Sequence, residues 1–212
     1  MGDVFSKNQA TSAEEAAKIV PRAEFRVFGK DVIAGVVEHM WKAKAQLFKA
    51  RVMPEETYIL SKATNDANVK VRDGLLDIKT KTGETPEGFE IFQPRGKFQF
   101  PVAKAELETI LGHLGVDLPL EAERYTFDEF CRLVKSSHEL ALVKVEKVRY
   151  GFSVNGVICE YAKVWFNGAL VETACCESED YAAMADAVKA LGMEKSPNVN
   201  YLKAAKHVIG WD

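Results

Sequence analysis

Two periodicities divide this chain. From Asn68 to Lys81 charged residues recur at every second position, with apolar residues between them on either side of an Asp73-Gly74 pair. Successive side chains of a strand point to opposite faces. The pattern therefore predicts a hairpin with Lys70 and Arg72 on one face of the first strand, and Asp77, Lys79 and Lys81 on one face of the second. Lys147-Val-Arg149 repeats the device. Arg22 to Phe28 alternates as a strand closed by Gly29. Ile33, Val36, Val37, Met40, Trp41, Lys44 and Phe48 then fall at helical spacing, with Asp31 as the expected N-cap and Trp41 in the apolar stripe. Strands are predicted near 56–61, 67–73, 75–82, 89–92 and 97–102, helices over 103–114 and 127–135, and strands again from Leu140. Asn-Gly pairs at 155–156 and 167–168 read as hairpin turns, because both turn residues need positive φ. Ser178 is the expected cap of a helix to Leu191, and a last helix covers roughly 200–208.

Hairpins outnumber crossover connections, which indicates an antiparallel α+β protein. A sheet buried on both faces reads as unbroken apolar runs; these strands alternate instead, so each has one polar face. Curling such a sheet turns that face either to water or into a channel. The expected fold is thus an antiparallel eight-stranded β-barrel or tunnel with flanking helices. Residues 1–20 read as a polar N-terminal arm with a helical turn near 14–19, and residues 21–212 as a single domain.

A length of 212 residues and an apolar fraction of 47% suffice for a packed core. The formal net charge of -3 argues against a general nucleic-acid binder, which needs a dominant basic surface. The four cysteines have no metal-binding spacing, and the adjacent Cys175 and Cys176 point to opposite faces of a strand. The first residues lack the apolar core of a signal peptide, and no run approaches the length of a membrane span. A cytoplasmic protein with reduced thiols is expected, with neither membrane nor nucleic acid as partner.

In their order along the chain the motifs resemble the CYTH, or triphosphate tunnel metalloenzyme, superfamily, which includes class IV adenylyl cyclases and thiamine triphosphatases. Its E-x-E-x-K strand is represented by Glu24-Phe-Arg-Val-Phe28, and its D-x-Y strand by Glu56-Thr-Tyr58. Its R-x-R strand and hairpin lysine correspond to Lys70-Val-Arg72 and Lys79, and its K-x-R strand to Lys147-Val-Arg149. Glu160, the Gly168–Ala174 strand carrying Glu172, the following helix and Asn200-Tyr201-Leu202 complete the series. The resemblance covers about residues 22–206. Arg26 and Phe28 stand where the family has its second glutamate and its lysine, and Ala174 stands where it has the partner of Glu172.

The resemblance implies a tunnel that binds a triphosphate or nucleotide, with Glu24 and Glu160 as catalytic carboxylates. Glu24, Glu160 and Glu172 would hold Mg²⁺ or Mn²⁺, ions that take oxygen ligands. Arg26, Lys70, Arg72, Lys79, Lys147 and Arg149 would carry the phosphate charge, since phosphoryl transfer rests mainly on positioning and charge stabilisation. The partners expected are a small phosphorylated ligand and a second copy of the chain in a homodimer. Arg26 opposes the metal, because a guanidinium stays protonated and has no lone pair to offer. Two readings of the same fold follow: a triphosphatase-like phosphohydrolase, or a catalytically lapsed module that binds polyanions or nucleotides. A third reading leaves the charges as a solvated face.

Overall fold

The computed structural model describes residues 10–211; residues 1–9 of the expected arm, and Asp212, lie outside the described residues. The elements are α1 (Ala13–Ala17), β1 (Arg22–Gly29), α2 (Val32–Lys42), β2 (Gln46–Val52), β3 (Glu56–Ser61), β4 (Thr64–Arg72), β5 (Leu75–Glu84), β6 (Glu90–Gln99), β7 (Val102–Ala103), α3 (Lys104–His113), β8 (Arg124–Tyr125), α4 (Phe127–Ser136), β9 (Leu140–Val154), β10 (Val157–Phe166), β11 (Ala169–Ser178), α5 (Tyr181–Ala190) and α6 (Tyr201–Ile209). The main sheet runs β10-β11-β1-β6-β5-β4-β3-β9, and β10 pairs again with β9. Eight antiparallel strands therefore close on themselves, and β2 also pairs with β9. Closure removes the exposed edges that an open sheet must protect. The fold is an α+β antiparallel barrel flanked by helices.

The turn chemistry holds. Asp73-Gly74, Asn155-Gly156 and Asn167-Gly168 all have positive φ at both residues, as two-residue hairpin turns require. Other boundaries differ from the sequence expectation. α2 ends at Lys42, and Lys44 takes φ 52, so the chain turns there and 46–52 pair with β9 as a strand. The helical spacing of Lys44 and Phe48 is therefore coincidental. Trp41 is 85% exposed and stands outside the core. Asp31 sits at the start of α2 in a left-handed conformation and makes no side-chain cap. Asp180, not Ser178, caps α5, accepting the Ala183 N–H, while Ser178 Oγ accepts the Asp180 N–H. The expected strands at 89–92 and 97–102 form one strand, β6, which runs through Pro94 and Gly96, followed by the short β7.

The chain divides into two compact units. In the first, residues 10–19, 56–80 and 93–143, Ile59, Val69, Val71, Leu76 and Ile78 share a core with Leu107, Ile110 and Leu111 of α3 and Phe130 and Val134 of α4. Lys70 and Arg72 alternate with Val69 and Val71, so they occupy the face of β4 turned away from those helices. In the second, residues 20–55, 81–92 and 144–211, Ala23, Phe25 and Val27 of β1 pack with Val36 of α2 and Met184, Ala187 and Val188 of α5. Glu24 and Arg26 take the opposite face of β1. In both units the helices fix the apolar parity of the strands, and that parity leaves the charges together.

Candidate functional site

The charged face of the second unit is built by strand register. Arg26 on β1 lies opposite Cys175 on β11, and Cys175 lies opposite Glu160 on β10. Ala162 of β10 pairs with Arg149 of β9, and Val164 with Lys147. One row thus reads Arg26, Cys175, Glu160 across three strands. The small Cys175 side chain at its centre leaves room for the long Arg26 arm to pass over it.

Arg26, only 5% exposed, is held on every side. Its Nε donates to Glu24 Oε1 at 2.8 Å, Nη1 donates to Thr173 Oγ1 at 3.3 Å, and Nη2 donates to Cys175 Sγ at 3.0 Å. Glu160 Oε1 lies 3.7 Å from Nη1. Arg149 donates to the other oxygen of Glu160 from both Nε and Nη2. Tyr201 of α6 covers the group: its ring centroid is 4.5 Å from the Arg26 guanidinium carbon and 4.3 Å from Lys147 Nζ. Burial opposes the Arg26 charge, but Cys175, Glu24, Tyr201 and Glu160 around it oppose burial, and its pKa stands well above the ordinary value. Burial likewise drives the Cys175 thiol well above its usual range, although Arg26 pulls the other way. Cys175 is therefore a neutral thiol that accepts a hydrogen bond, and it is not a nucleophile.

The first unit carries a second charged cluster. Glu56 of β3, 1% exposed, lies 3.4 Å from Lys70 Nζ and 3.2 Å from Arg72 Nη1. Arg72 also reaches Asp77 at 3.7 Å. Burial lowers the Lys70 pKa; Glu56 opposes that shift, while Arg72 and Lys79 add to it. Lys79 thus shares the electrostatic environment of Lys70 without pairing in register with it, since its partner on β4 is Asn68.

The structure brings Glu24, Arg26, Glu160, Lys147 and Arg149 together in one unit, and Lys70, Arg72 and Lys79 in the other. It separates Glu172 from the glutamates it was grouped with. On β11 the face turned to Arg26 carries Thr173 and Cys175, so Glu172 points the other way. Its carboxylate accepts the Ile33 N–H at 2.9 Å, at the start of α2, where a negative charge meets the helix dipole. Glu172 thus does what Asp31 was expected to do. Thr173, Cys175, Glu56 and Tyr201 also belong to these clusters, beyond the site residues expected from the sequence. For Glu56 and Tyr201 the signal lay in the motif order. For Thr173 and Cys175 it lay only in the parity of β11, which its partners fix.

These residues do not fit a divalent cation. Glu24 and Glu160 converge, but on a guanidinium that carries no lone pair. Among the described residues, no group of three or more His, Cys, Asp or Glu side chains is arranged to hold a metal ion. A groove of about 400 Å³ in the second unit is lined by Val52, Met53, Glu55, Glu146, Val148 and Trp165 together with Lys147. Glu146 and Val148 occupy the face of β9 opposite Lys147 and Arg149, so of the charged row only Lys147 lines this groove. Among the described residues no helix is long and apolar enough to cross a membrane.

No protein-family model matches the sequence, and no curated protein matches it. Solved structures do. A Hippeastrum protein described as an adenylyl cyclase candidate with a dominant triphosphatase activity superposes with a TM-score of 0.50 at 12% identity, over 91% of this chain and 96% of that one. A Bacillus halodurans adenylate cyclase candidate gives 0.44 at 12% identity, over 88% and 98%. A conserved hypothetical protein from Pyrococcus furiosus gives 0.46 at 14%, over 85% and 98%. The likeness to the Hippeastrum protein shows a shared fold, and the closed strand order agrees with the antiparallel barrel expected from the motif order.

Proposed function

We propose that this chain binds a triphosphate-containing or other polyphosphorylated ligand, a nucleotide or inorganic triphosphate, on its charged strand faces. The observation that carries the reading is the row on the second unit, where Arg26, Lys147 and Arg149 share one face with the carboxylates of Glu24 and Glu160. Guanidinium forks match phosphate oxygens two at a time, and Arg149 stands at the more open end of the row, with 30% of its side chain exposed. Lys70, Arg72 and Lys79 form a second cationic face suited to the same chemistry. Glu56 holds the first two in place until a ligand competes for them.

Binding is better supported than turnover. Hydrolysis of a phosphoanhydride requires a positioned water and relief of the charge that develops on the leaving group. Glu160, the carboxylate nearest the row's centre, is already engaged by two arginines. The second reading, a phosphohydrolase, is favoured by the triphosphatase activity described for the Hippeastrum protein of the same fold. We place the protein in the cytoplasm, where nucleotides and polyphosphates are abundant. Calorimetric titration with tripolyphosphate, ATP, thiamine triphosphate and pyrophosphate tests the binding, and release of inorganic phosphate tests turnover. Absence of binding by all four removes the proposal.

A further inference from the structure

We infer that the Arg26 guanidinium is the resident cation of this site, so that the polyphosphate binding proposed above, on which this inference rests, needs no divalent metal. The geometry is specific. A guanidinium has donors on all its edges, and Arg26 uses them on Glu24, Thr173 and Cys175, with Glu160 near Nη1. A Mg²⁺ or Mn²⁺ ion liganded by Glu24 and Glu160 would sit about 2 Å from their oxygens and compete for the space and charge that Arg26 occupies. Arg26 cannot yield by losing its proton, since its negative neighbours hold the charge in place. Nor is it free to swing away. Tyr201 lies across it, the Asn198 side chain accepts its backbone N–H at 2.9 Å, and its backbone carbonyl accepts the Val199 N–H at 2.8 Å.

The sequence is consistent with this substitution at each neighbouring position. Cys175, directly opposite in register, is small enough for the arginine to cross. The groups facing Arg26 from β11 are a hydroxyl and a thiol, which accept hydrogen bonds from a guanidinium and add no further negative charge. The third glutamate expected to hold a metal, Glu172, faces away and caps α2. A single fixed positive charge is thus matched to two carboxylates, and Arg149 neutralises what remains on Glu160. The charge state of the site is then set by the chain itself and does not vary with the metal concentration around it.

The test uses the full chain, with Mn²⁺ and tripolyphosphate as probes. Electron paramagnetic resonance of free Mn²⁺, without phosphate, should show no binding by the wild type at micromolar concentrations. Arg26→Ser, which removes the cation lying between Glu24 and Glu160, and Arg26→Glu, which adds a third carboxylate, should each gain at least about tenfold in Mn²⁺ affinity. Thermal melting, with Arg26→Lys as the variant that keeps the charge, shows whether the substituted chains fold; Mn²⁺ should raise the melting temperature of Arg26→Ser and leave the wild type unmoved. Tripolyphosphate should bind the wild type with the same affinity, within about threefold, in excess EDTA and in Mg²⁺. Tight Mn²⁺ binding by the wild type, or tripolyphosphate binding lost in EDTA, overturns the inference while leaving the proposed function standing. Failure of folded Arg26→Ser to gain Mn²⁺ affinity also overturns it. Failure of tripolyphosphate to bind under either condition removes the proposed function, and the Mn²⁺ measurement then decides the metal question alone.

Discussion

Glu56→Gln tests how the buried charges are balanced. Glu56 is almost wholly buried and faces Lys70 at 3.4 Å and Arg72 at 3.2 Å. At an effective dielectric of 20 each pair is worth about 5 kcal/mol of Coulomb energy, most of which offsets the cost of taking the three groups from water. Removing one member of a buried pair costs about 3–5 kcal/mol, because the partner charges stay behind. Glutamine keeps a carbonyl acceptor, and the Lys70 and Arg72 side chains are 14% and 19% exposed, which softens the loss. The expected destabilisation is about 2–3 kcal/mol, or roughly 1–1.5 M in the urea midpoint for an m-value near 2 kcal/mol/M. Burial already lowers the Lys70 pKa, and the variant should lower it further. In the window between the folded and unfolded pKa only the unfolded chain holds the proton, so the variant's stability should recover as the pH rises through it. Tripolyphosphate at a hundredfold excess over Kd contributes about 2.7 kcal/mol and should restore most of the loss. It should also bind the variant about tenfold more tightly than the wild type, since it no longer competes with a carboxylate. An unchanged urea midpoint would refute the pairing argument. Equal tripolyphosphate affinity in both proteins would refute the competition.

Three further outcomes are expected. Arg149→Ala should weaken tripolyphosphate binding about tenfold or more, because a charge-assisted hydrogen bond to phosphate is worth about 1.5–3 kcal/mol; calorimetry checks it, and circular dichroism should show an unchanged fold. Glu172→Ala should cost about 1 kcal/mol of stability through the lost acceptor at the start of α2, with ligand affinity unaltered, which separates a structural glutamate from a binding one. Gly192→Ala should destabilise by more than 1 kcal/mol in chemical denaturation, since Gly192 has φ 67 and an added Cβ would lie 2.8 Å from His39 Nε2.

The legible part of this protein was what local chemistry dictates. Asp73-Gly74, Asn155-Gly156 and Asn167-Gly168 specify their turns without outside help, and the alternation of Lys70 and Arg72 with Val69 and Val71 specifies a shared face. What escaped was decided by distant partners. Alternation along β11 shows that Glu172 and Cys175 take opposite faces, but only pairing with β1 decides which of them meets Arg26. The helical spacing from Ile33 to Phe48 has no internal stop; the turn at Lys44 and the pairing of β2 with β9 supply one. Asp31 has the chemistry of an N-cap, yet its left-handed backbone leaves that work to a carboxylate on another strand. Glu56 was visible as part of a motif, and its role as the shared counter-charge of Lys70 and Arg72 follows from the register that sets it opposite Arg72.

The position of Tyr201 between Arg26 and Lys147 gives the molecule an internal optical gauge. Burial pushes its phenol far above the ordinary range, despite the cations that oppose the shift, so it does not ionise while α6 stays in place. In an alkaline absorbance titration the chain's six tyrosines should therefore show Tyr201 missing from the native curve. Its phenolate band should emerge only when α6 detaches, so that the late step in the titration reports the seating of one helix over one arginine.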